Sequence, residues 1–261
     1  MGLTYQSTGR STTREIFNVH NAGSELVIAL AGNPNTGKST VFNALTGLRQ
    51  HTGNWPGKTV LRAEGSFIHG GRRYTLIDLP GTYSLHANSV EEEVARDFLC
   101  FAKPDATVVV VDGTCLERNL NLALQVMEIT DNVIVCVNLI DEARRKKMHI
   151  NINKLSNALG VPVVPTAARG GEGLSELMAA ISDVALGRVM PKPVLVRYSD
   201  AVEKAIAQVE PKVREIIGAH INTRWVALRL IDGDTKLVQA IQRYYNDQES
   251  KQAEAALEVL A

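Results

Sequence analysis

The segment at 32–39 reads GNPNTGKS and carries the residue types that bind a row of phosphate groups. Its glycines let backbone N–H groups turn toward one anion, Lys38 supplies a compact positive charge, and the Ser39 hydroxyl can ligate magnesium. An apolar run at 26–31 precedes it and a helix-compatible stretch follows, which is the setting that this chemistry needs. The segment predicts a nucleoside triphosphate site that includes Gly32, Asn33, Asn35, Thr36, Gly37, Lys38, Ser39 and Thr40.

A second group of candidates lies at 78–81, where Asp78-Leu79-Pro80-Gly81 closes a β-rich run. An aspartate there can hold magnesium through water, and the N–H group of Gly81 can meet the terminal phosphate. Open α/β sheets bind ligands at the carboxyl ends of their strands, which favours this role over a plain Pro-Gly turn. The position predicts Asp78 and Gly81 as nucleotide-site residues.

Between these two segments lies a glycine-rich loop, GNWPGKTV at 53–60. Thr59 comes just before a β-rich run, where its hydroxyl can reach magnesium and the terminal phosphate, so we predict Thr59 as a switch residue. Trp55, Pro56 and Gly57 form an unusual sequence for a core segment, and we assign them to the same site. A loop that merely packs one tryptophan is the alternative interpretation.

Base recognition is predicted at the end of a later apolar run, in Asn138-Leu139-Ile140-Asp141. The Asp141 carboxylate can accept from the ring N1–H and the exocyclic amine of guanine together, which adenine does not offer, and Asn138 is its positioning neighbour. Leu139 stands where the usual guanine motif has lysine, and an Asn with an Asp can also be a helix cap. The later turn PTAARG resembles the loop whose backbone N–H contacts the guanine oxygen, which adds Thr166, Ala167 and Ala168 to the predicted site.

Strands and helices alternate from about 26 to 187, and the candidate residues follow the strands. Two β-rich runs flank Gly70-Gly71 as a hairpin and give the sheet one antiparallel edge strand, whereas three continuous apolar runs predict buried parallel strands. We therefore predict an α/β, P-loop GTPase fold with a mostly parallel six-stranded sheet. Its strands are predicted at 26–31, 60–69, 72–78, 106–112, 133–138 and 161–165, with helices at 116–130 and 174–187.

Pro191 and Pro193 mark a boundary beyond which the chain is rich in charged helix formers. We predict a flexible leader at 1–24, a GTP-binding domain at 25–190 and a small all-helical domain at 191–261. The helices of the last domain are predicted near 200–217, 222–231, 235–246 and from 248 to the end.

Composition limits the partners. Lys plus Arg and Asp plus Glu number 28 each, so the charge balance gives no support for nucleic acid as the main partner. No apolar run approaches the roughly 18 residues that cross a bilayer. Cys100, Cys115 and Cys136 are scattered through apolar segments, which predicts small core residues in a reducing cytoplasm.

The ordered set GNPNTGKS, GNWPGKT, DLPGTYSL, NLIDEA and PTAARG resembles the cytoplasmic G domain of the FeoB family of bacterial ferrous iron transporters. Segments 196–203 and 223–230 resemble the helical domain that follows it there. The resemblance implies a slow GTPase that uses GTP, GDP and Mg²⁺, lies at the cytoplasmic face of the inner membrane and regulates iron passage through a membrane domain of the same polypeptide. It also implies stimulation by K⁺ held at Asn35, with Asn35, Lys38, Thr59 and Gly81 acting in catalysis.

Some questions stay open at this point. Thr82 stands where many GTPases have a water-orienting glutamine, so backbone groups near Thr59 are the first candidates for that task. Thr82 itself or one of Glu91, Glu92 and Glu93 is the second, although those glutamates also fit a solvated helix start. A ribosome- or tRNA-associated potassium-dependent GTPase and a nucleotide-gated binding module with incidental hydrolysis are the competing functions. The sequence leaves open whether the chain forms homo-oligomers. An ATP-using kinase is disfavoured, because it would give no role to Asp141.

Overall fold

A computed structural model describes Phe17 and residues 25–48, 50–218 and 221–246. Most of the predicted leader and the whole predicted helix from 248 onward lie outside these residues. The described chain divides into two compact units. The first holds the described residues from Glu25 to Leu99 together with Pro104–Val196. The second holds Phe17, Cys100–Lys103 and the described residues from Arg197 onward.

The first unit is built on a seven-stranded sheet in the order β2-β3-β4-β1-β5-β6-β7. Only β3 runs against the other strands of this sheet, because β2 and β4 are both antiparallel to it and the remaining pairs are parallel. The strands are β1 Leu26–Gly32, β2 Gln50–Asn54, β3 Leu61–His69, β4 Arg72–Asp78, β5 Ala106–Asp112, β6 Val133–Asn138 and β7 Val163–Pro165.

The predicted α/β class and its single reversed strand are confirmed, but the count of six strands is wrong by one. The missed strand is β2, whose sequence is QHTGN. It has no apolar alternation, its residues from His51 to Asn54 are exposed, and it is defined by backbone pairing with β3. Because β2 takes the edge, the reversed strand β3 lies one place inside it.

Helices cover the sheet and explain why its central strands are continuous apolar runs. Ile28 and Leu30 of β1 belong to one buried cluster with apolar residues of the helices at 38–46 and 174–185. Tyr74 lies in the same cluster, and its hydroxyl donates a hydrogen bond of 2.7 Å to the Ser182 hydroxyl. The helices of this unit are α1 Lys38–Thr46, α2 Val90–Asp97, α3 Leu116–Ile129, α4 Ile140–Arg145, α5 Ile152–Leu159 and α6 Leu174–Ala185. A π-helical segment, Phe98–Ala102, follows α2.

Two cysteines are buried as predicted, Cys100 and Cys136, but Cys115 is exposed. The prediction of a core position was wrong for Cys115 because it lies in the turn after β5, directly before the first residue of α3. Burial raises the pKa of the Cys136 thiol to about 12.

The second unit contains α7 Asp200–Ile217, α8 Thr223–Ile231 and a further helix, α9, at 235–246. Asn222 caps α8 by accepting from the Trp225 N–H at 3.0 Å, as expected for an asparagine at this position. Glu203 of α7 accepts two hydrogen bonds from Arg224 of α8, each at 2.9 Å. Within the described part of the chain, none of the helices combines the length and apolarity that a bilayer crossing requires.

Candidate functional site

The phosphate-binding loop joins β1 to α1 with two residues in the left-handed region. Asn35 has φ of 67° and Gly37 has φ of 77°. A Cβ at Gly32 would lie 2.7 Å from the carbonyl oxygen of Val110, so the loop passes too close to β5 for any side chain there. Gly37 has no side chain to cap α1, which leaves the N–H groups of its first turn available to an anion.

Lys38 is held at the carboxyl end of β4. Its ammonium group forms an ion pair with Asp78 and donates a hydrogen bond of 2.7 Å to the carbonyl oxygen of Leu79. The Leu79 carbonyl was not predicted as a partner of Lys38; the signal that could have identified it is its position directly after Asp78. These contacts place the charge of Lys38 beside the predicted magnesium carboxylate.

Burial raises the pKa of Asp78 above its ordinary value, and the nearby Lys38 opposes that rise. A partly buried carboxylate needs a cation beside it. When Lys38 turns to a phosphate group, Asp78 needs another positive charge, and a divalent ion with oxygen ligands fits this requirement. The donor set of Asp78 and the exposed Ser39 hydroxyl therefore suits Mg²⁺.

A cleft of about 480 Å³ opens beside these groups. It lies between α1, the β2–β3 hairpin and the end of β4, so it has room for a metal ion and part of a nucleotide. Its walls are formed by Lys38, Ser39, Phe42, Asn43, Thr52, Leu61, Arg62, Ala63, Asp78, Leu79, Pro80 and Gly81.

The loop between β2 and β3 contains the predicted switch residue, and here the structure corrects part of the prediction. Trp55 is 2% exposed and packs edge-on against Phe98 with ring centroids 5.4 Å apart, so its side chain is a core residue in this conformation. Thr59 is exposed, as are Pro56 and Gly57. The polar backbone of this glycine-rich loop suggested a ligand site, but a large apolar ring gains more by burial.

An ion pair that the sequence analysis missed joins the same loop to α2. The Lys58 ammonium lies 3.1 Å from the Glu93 carboxylate. Among the three glutamates considered for water positioning, Glu93 is therefore engaged by the loop. Glu92 stabilises the start of its own helix, because its carboxylate accepts from Asn88 N–H at 2.9 Å and its N–H donates to Ser89 at 3.1 Å. No local signal links Lys58 to Glu93, since they lie on separate elements.

The segment after β4 contacts the phosphate-binding loop directly. The N–H of Thr82 donates to the carbonyl oxygen of Gly32 at 3.3 Å, and a Cβ on Gly81 would lie 3.6 Å from Pro34. Thr82 is buried, whereas Gly81 is exposed. The structure thus brings Gly81 beside Pro34 of the phosphate-binding loop, and its contact with the terminal phosphate stays a prediction.

Asn138 joins the phosphate-binding loop to the turn that is predicted to contact the base. Its amide nitrogen donates to the Thr36 carbonyl at 3.0 Å, and its amide oxygen accepts from the Thr166 hydroxyl at 3.2 Å and from the Ala168 N–H at 3.1 Å. Asn138 is 1% exposed, so these bonds are shielded from water. The residue joins three separate loops, a wider role than positioning Asp141 alone.

Asp141 lies in the first turn of α4 with its side chain 52% exposed, 3.9 Å from Arg145. Leu139, the residue directly before α4, takes φ of 60° and caps the helix start, which turns the chain sharply after β6. Ala167 and Ala168 are buried. The structure places Asp141 and the 166–168 turn after neighbouring parallel strands, β6 and β7, at the same edge of the sheet.

Comparison with known proteins matches both units. Residues 26–181 match the family model described as ferrous iron transport protein B, and residues 198–260 match the model of the FeoB cytosolic helical domain. The Fe(2+) transporter FeoB of Salmonella typhimurium is 39% identical over 218 residues, which make up 80% of this chain. The chain spans about a quarter of the length of the curated relatives it matches, 26% and 27% for the first two.

Solved structures of FeoB cytosolic domains are similar in fold. The T. maritima domain in its GDP form I has a TM-score of 0.77 at 39% identity, and the alignment covers 84% of this chain and 85% of that one. The GMPPNP form of the same domain has a TM-score of 0.76 at 38% identity, with 83% and 85% covered. Sequence, fold and domain order agree, so the chain belongs to the ferrous iron transport protein B (FeoB) family.

Proposed function

We propose that this chain binds GTP and GDP with Mg²⁺ and hydrolyses GTP to GDP and phosphate. The observation that carries the proposal is Asn138, whose buried amide joins the phosphate-binding loop at Thr36 to the predicted base loop at Ala168. These hydrogen bonds hold the proposed phosphate-binding and base-binding loops to one buried side chain. The GDP and GMPPNP forms of the T. maritima relative support a guanine nucleotide as its ligand.

Phosphate binding is assigned to the loop from Gly32 to Thr40, with Lys38 as the charged donor. The Ser39 hydroxyl and the Asp78 carboxylate are the proposed Mg²⁺ ligands, directly or through water, and Thr59 joins them when the loop after β2 closes. Bound Mg²⁺ supplies charge that stabilises the phosphate oxygens. Asp141 accepts from the guanine edge. The N–H of Ala168, which donates to Asn138 Oδ1 at 3.1 Å in this conformation, is the proposed donor to the guanine oxygen once the bound base displaces that bond.

Hydrolysis requires water to attack the terminal phosphorus while the bond to the GDP oxygen breaks. This chain has Thr82 where a glutamine would orient that water, which supports a slow reaction. Backbone groups near Gly81 and Thr59 are the proposed positioning groups. Asn35 is exposed at the left-handed turn of the loop, so its carbonyl can help to hold K⁺ beside the phosphates.

At the level of the whole protein, the proposed role is control of ferrous iron passage. The relatives are named Fe(2+) transporters and are about four times longer than the matched segment. A membrane-embedded transport domain of the same polypeptide is the proposed partner, and it places this part at the cytoplasmic face of the bacterial inner membrane. The alternative of a ribosome-associated GTPase has no support from the family match.

The proposal is tested by titrating fluorescent GDP, GTP and ATP analogues in KCl and in NaCl, followed by single-turnover hydrolysis. We expect binding of both guanine nucleotides, weak binding of ATP and faster hydrolysis in KCl. Binding of ATP as tight as that of GTP would contradict the base assignment. Hydrolysis too slow to exceed the buffer rate, with intact binding, would favour a nucleotide-gated binding module instead.

A change at Asp141 tests the base site itself. Asp141→Asn replaces an acceptor pair with a group that also donates, which matches xanthine better than guanine. We expect affinity to move from GDP toward XDP by about a factor of ten or more in each direction, since each mispaired hydrogen bond costs about 1–3 kcal/mol. Glu142→Gln is the matched control, because Glu142 also faces Arg145, at 3.5 Å. Unaltered GDP selectivity in Asp141→Asn would refute the assignment.

A further inference from the structure

A bidentate ion pair outside the predicted site joins the two elements that carry the base-contacting groups. Arg144 donates from one terminal nitrogen to a Glu172 oxygen at 3.0 Å and from the other to the second oxygen at 2.7 Å. This parallel geometry fixes both the distance and the mutual orientation of the two side chains. The pair lies on the surface, with the side chains 60% and 46% exposed.

Arg144 belongs to the helix that begins at the base-recognition carboxylate. It lies three residues after Asp141 on α4, so the two side chains share one helix face. Glu172 raises the pKa of Arg144 through the hydrogen bonds and its charge, and Asp141 adds a smaller contribution of the same sign. The guanidinium is thus within electrostatic reach of both carboxylates.

Glu172 belongs to the turn that presents the predicted base-contacting N–H. The N–H of Ala167 donates to the Glu172 carbonyl at 3.1 Å, and the two residues form an isolated antiparallel bridge. A Cβ on Gly173 would clash with the Pro165 carbonyl, so the turn closes tightly on its own strand. Movement of Glu172 is therefore transmitted to Ala167 and Ala168.

We propose that Arg144 and Glu172 form a clasp that holds α4 and the 166–172 turn together and slows release of a bound guanine nucleotide. The inference rests on the proposed function, since it assigns Asp141 and Ala168 to the base. Both members are positioning residues: they act through the spacing of those two groups, and neither is assigned a contact with the nucleotide. The ion pair would thus help to retain the nucleotide, and local sequence motifs do not predict it.

The expected effect on nucleotide release is set by the solvent exposure of the Arg144 and Glu172 side chains. A surface ion pair is weak, but a bidentate pair in fixed geometry is among the stronger ones. We expect about a threefold faster release of mant-GDP when either member is removed. Salt screens exposed charges, and the screening length falls from about 14 Å at 50 mM NaCl to about 4 Å at 500 mM. The difference in release rate between the variants and the parent should therefore become smaller over this range.

The experiment measures mant-GDP release by stopped flow for Arg144→Ala, Glu172→Ala, the double alanine variant and the charge-swapped Arg144→Glu with Glu172→Arg. We expect both single variants and the double variant to release at the same raised rate, and the swapped pair to recover much of the parent rate. Arg188→Ala is the matched control, because Arg188 is 60% exposed like Arg144 and pairs with Asp183 at 2.9 Å, and neither residue lies on α4 or the 166–172 turn. It should leave release unchanged.

Pyrophosphate distinguishes positioning from general destabilisation. It occupies the phosphate-binding loop without a base, so its affinity should be the same in the parent and all variants, whereas a loosened fold would weaken it too. Equal release rates in parent and single variants, or additive effects in the double variant, would overturn the clasp while leaving nucleotide binding intact. A parent chain that binds no mant-GDP would instead refute the proposed function.

Discussion

Replacing Asn138 by alanine tests the idea that one buried amide assembles the site. The substitution removes the donor to Thr36 O and the acceptor for Thr166 and Ala168, whose hydrogen bonds measure 3.0, 3.2 and 3.1 Å. Each buried hydrogen bond contributes about 1 kcal/mol net, so the loss is about 3 kcal/mol in the free energy of unfolding of the first unit. Thr166 keeps a contact with Cys136 Sγ at 3.1 Å, which limits the penalty at that hydroxyl.

The assay needs a signal from the first unit alone. The chain has two tryptophans, Trp55 and Trp225, one in each unit. In a Trp225→Phe background, urea unfolding followed by tryptophan fluorescence reports the environment of Trp55. We expect the Asn138→Ala midpoint to fall while the slope stays constant, and GDP affinity to fall at least tenfold, because both ends of the site lose their common anchor.

Asn157→Ala provides the control, since Asn157 is exposed on α5 and its loss should change unfolding by less than about 0.5 kcal/mol. A loss below about 1 kcal/mol in Asn138→Ala, together with unchanged GDP affinity, would refute the reasoning. It would mean that the three loops hold their positions without the shared amide.

Three further outcomes are expected. Trp55→Ala should lower the free energy of unfolding of the first unit by about 3–5 kcal/mol, measured by far-UV circular dichroism in urea, because it leaves a cavity beside Phe98; a loss under 1 kcal/mol would contradict the buried position. The hydrogen bonds from Arg224 help lower the pKa of Glu203 from 4.5 to about 2, so the second unit should lose stability as pH falls from about 4.5 to 2, and Glu203→Gln should flatten that dependence in Trp225 fluorescence. Asn35→Ala should abolish the difference in hydrolysis rate between KCl and NaCl while GDP binding persists, and equal stimulation of variant and parent would refute the K⁺ assignment.

Local chemistry explains which site features could be predicted. The phosphate-binding loop depends on residues that are adjacent in the chain. Gly37, Lys38 and Ser39 therefore predict it wherever the flanking strand and helix form. The strands β5 and β6 were predicted with the bounds that the structure has, because continuous apolar runs between polar turns leave few alternatives. The bounds of β4 were also predicted, from the Gly70-Gly71 turn that precedes it. Strand β2 was missed because an exposed polar edge strand gains its pairing from a neighbour and leaves no apolar pattern.

The interpretation of Trp55 shows the limit of motif reasoning. A tryptophan in a glycine- and proline-containing loop can turn either toward a ligand or into the core. Trp55 turns into the core because Phe98, 43 positions later in the chain, offers an apolar surface beside the loop. The same holds for Lys58 and Glu93, whose attraction exists only after α2 packs near the loop.

The sequence by itself determined the class of fold and the order of the predicted nucleotide-binding loops, because short-range spacing and apolar runs are sufficient for both. The family was indicated by the resemblance of its motif segments to those of FeoB. Tertiary structure alone decided which loops share a partner. Asn138 meets Thr36 across 102 positions, and Arg144 meets Glu172 across 28. Such contacts arise only when the parallel strands bring their carboxyl ends to one edge, since hydrogen bonds and ion pairs act over a few ångströms and carry no trace along the chain.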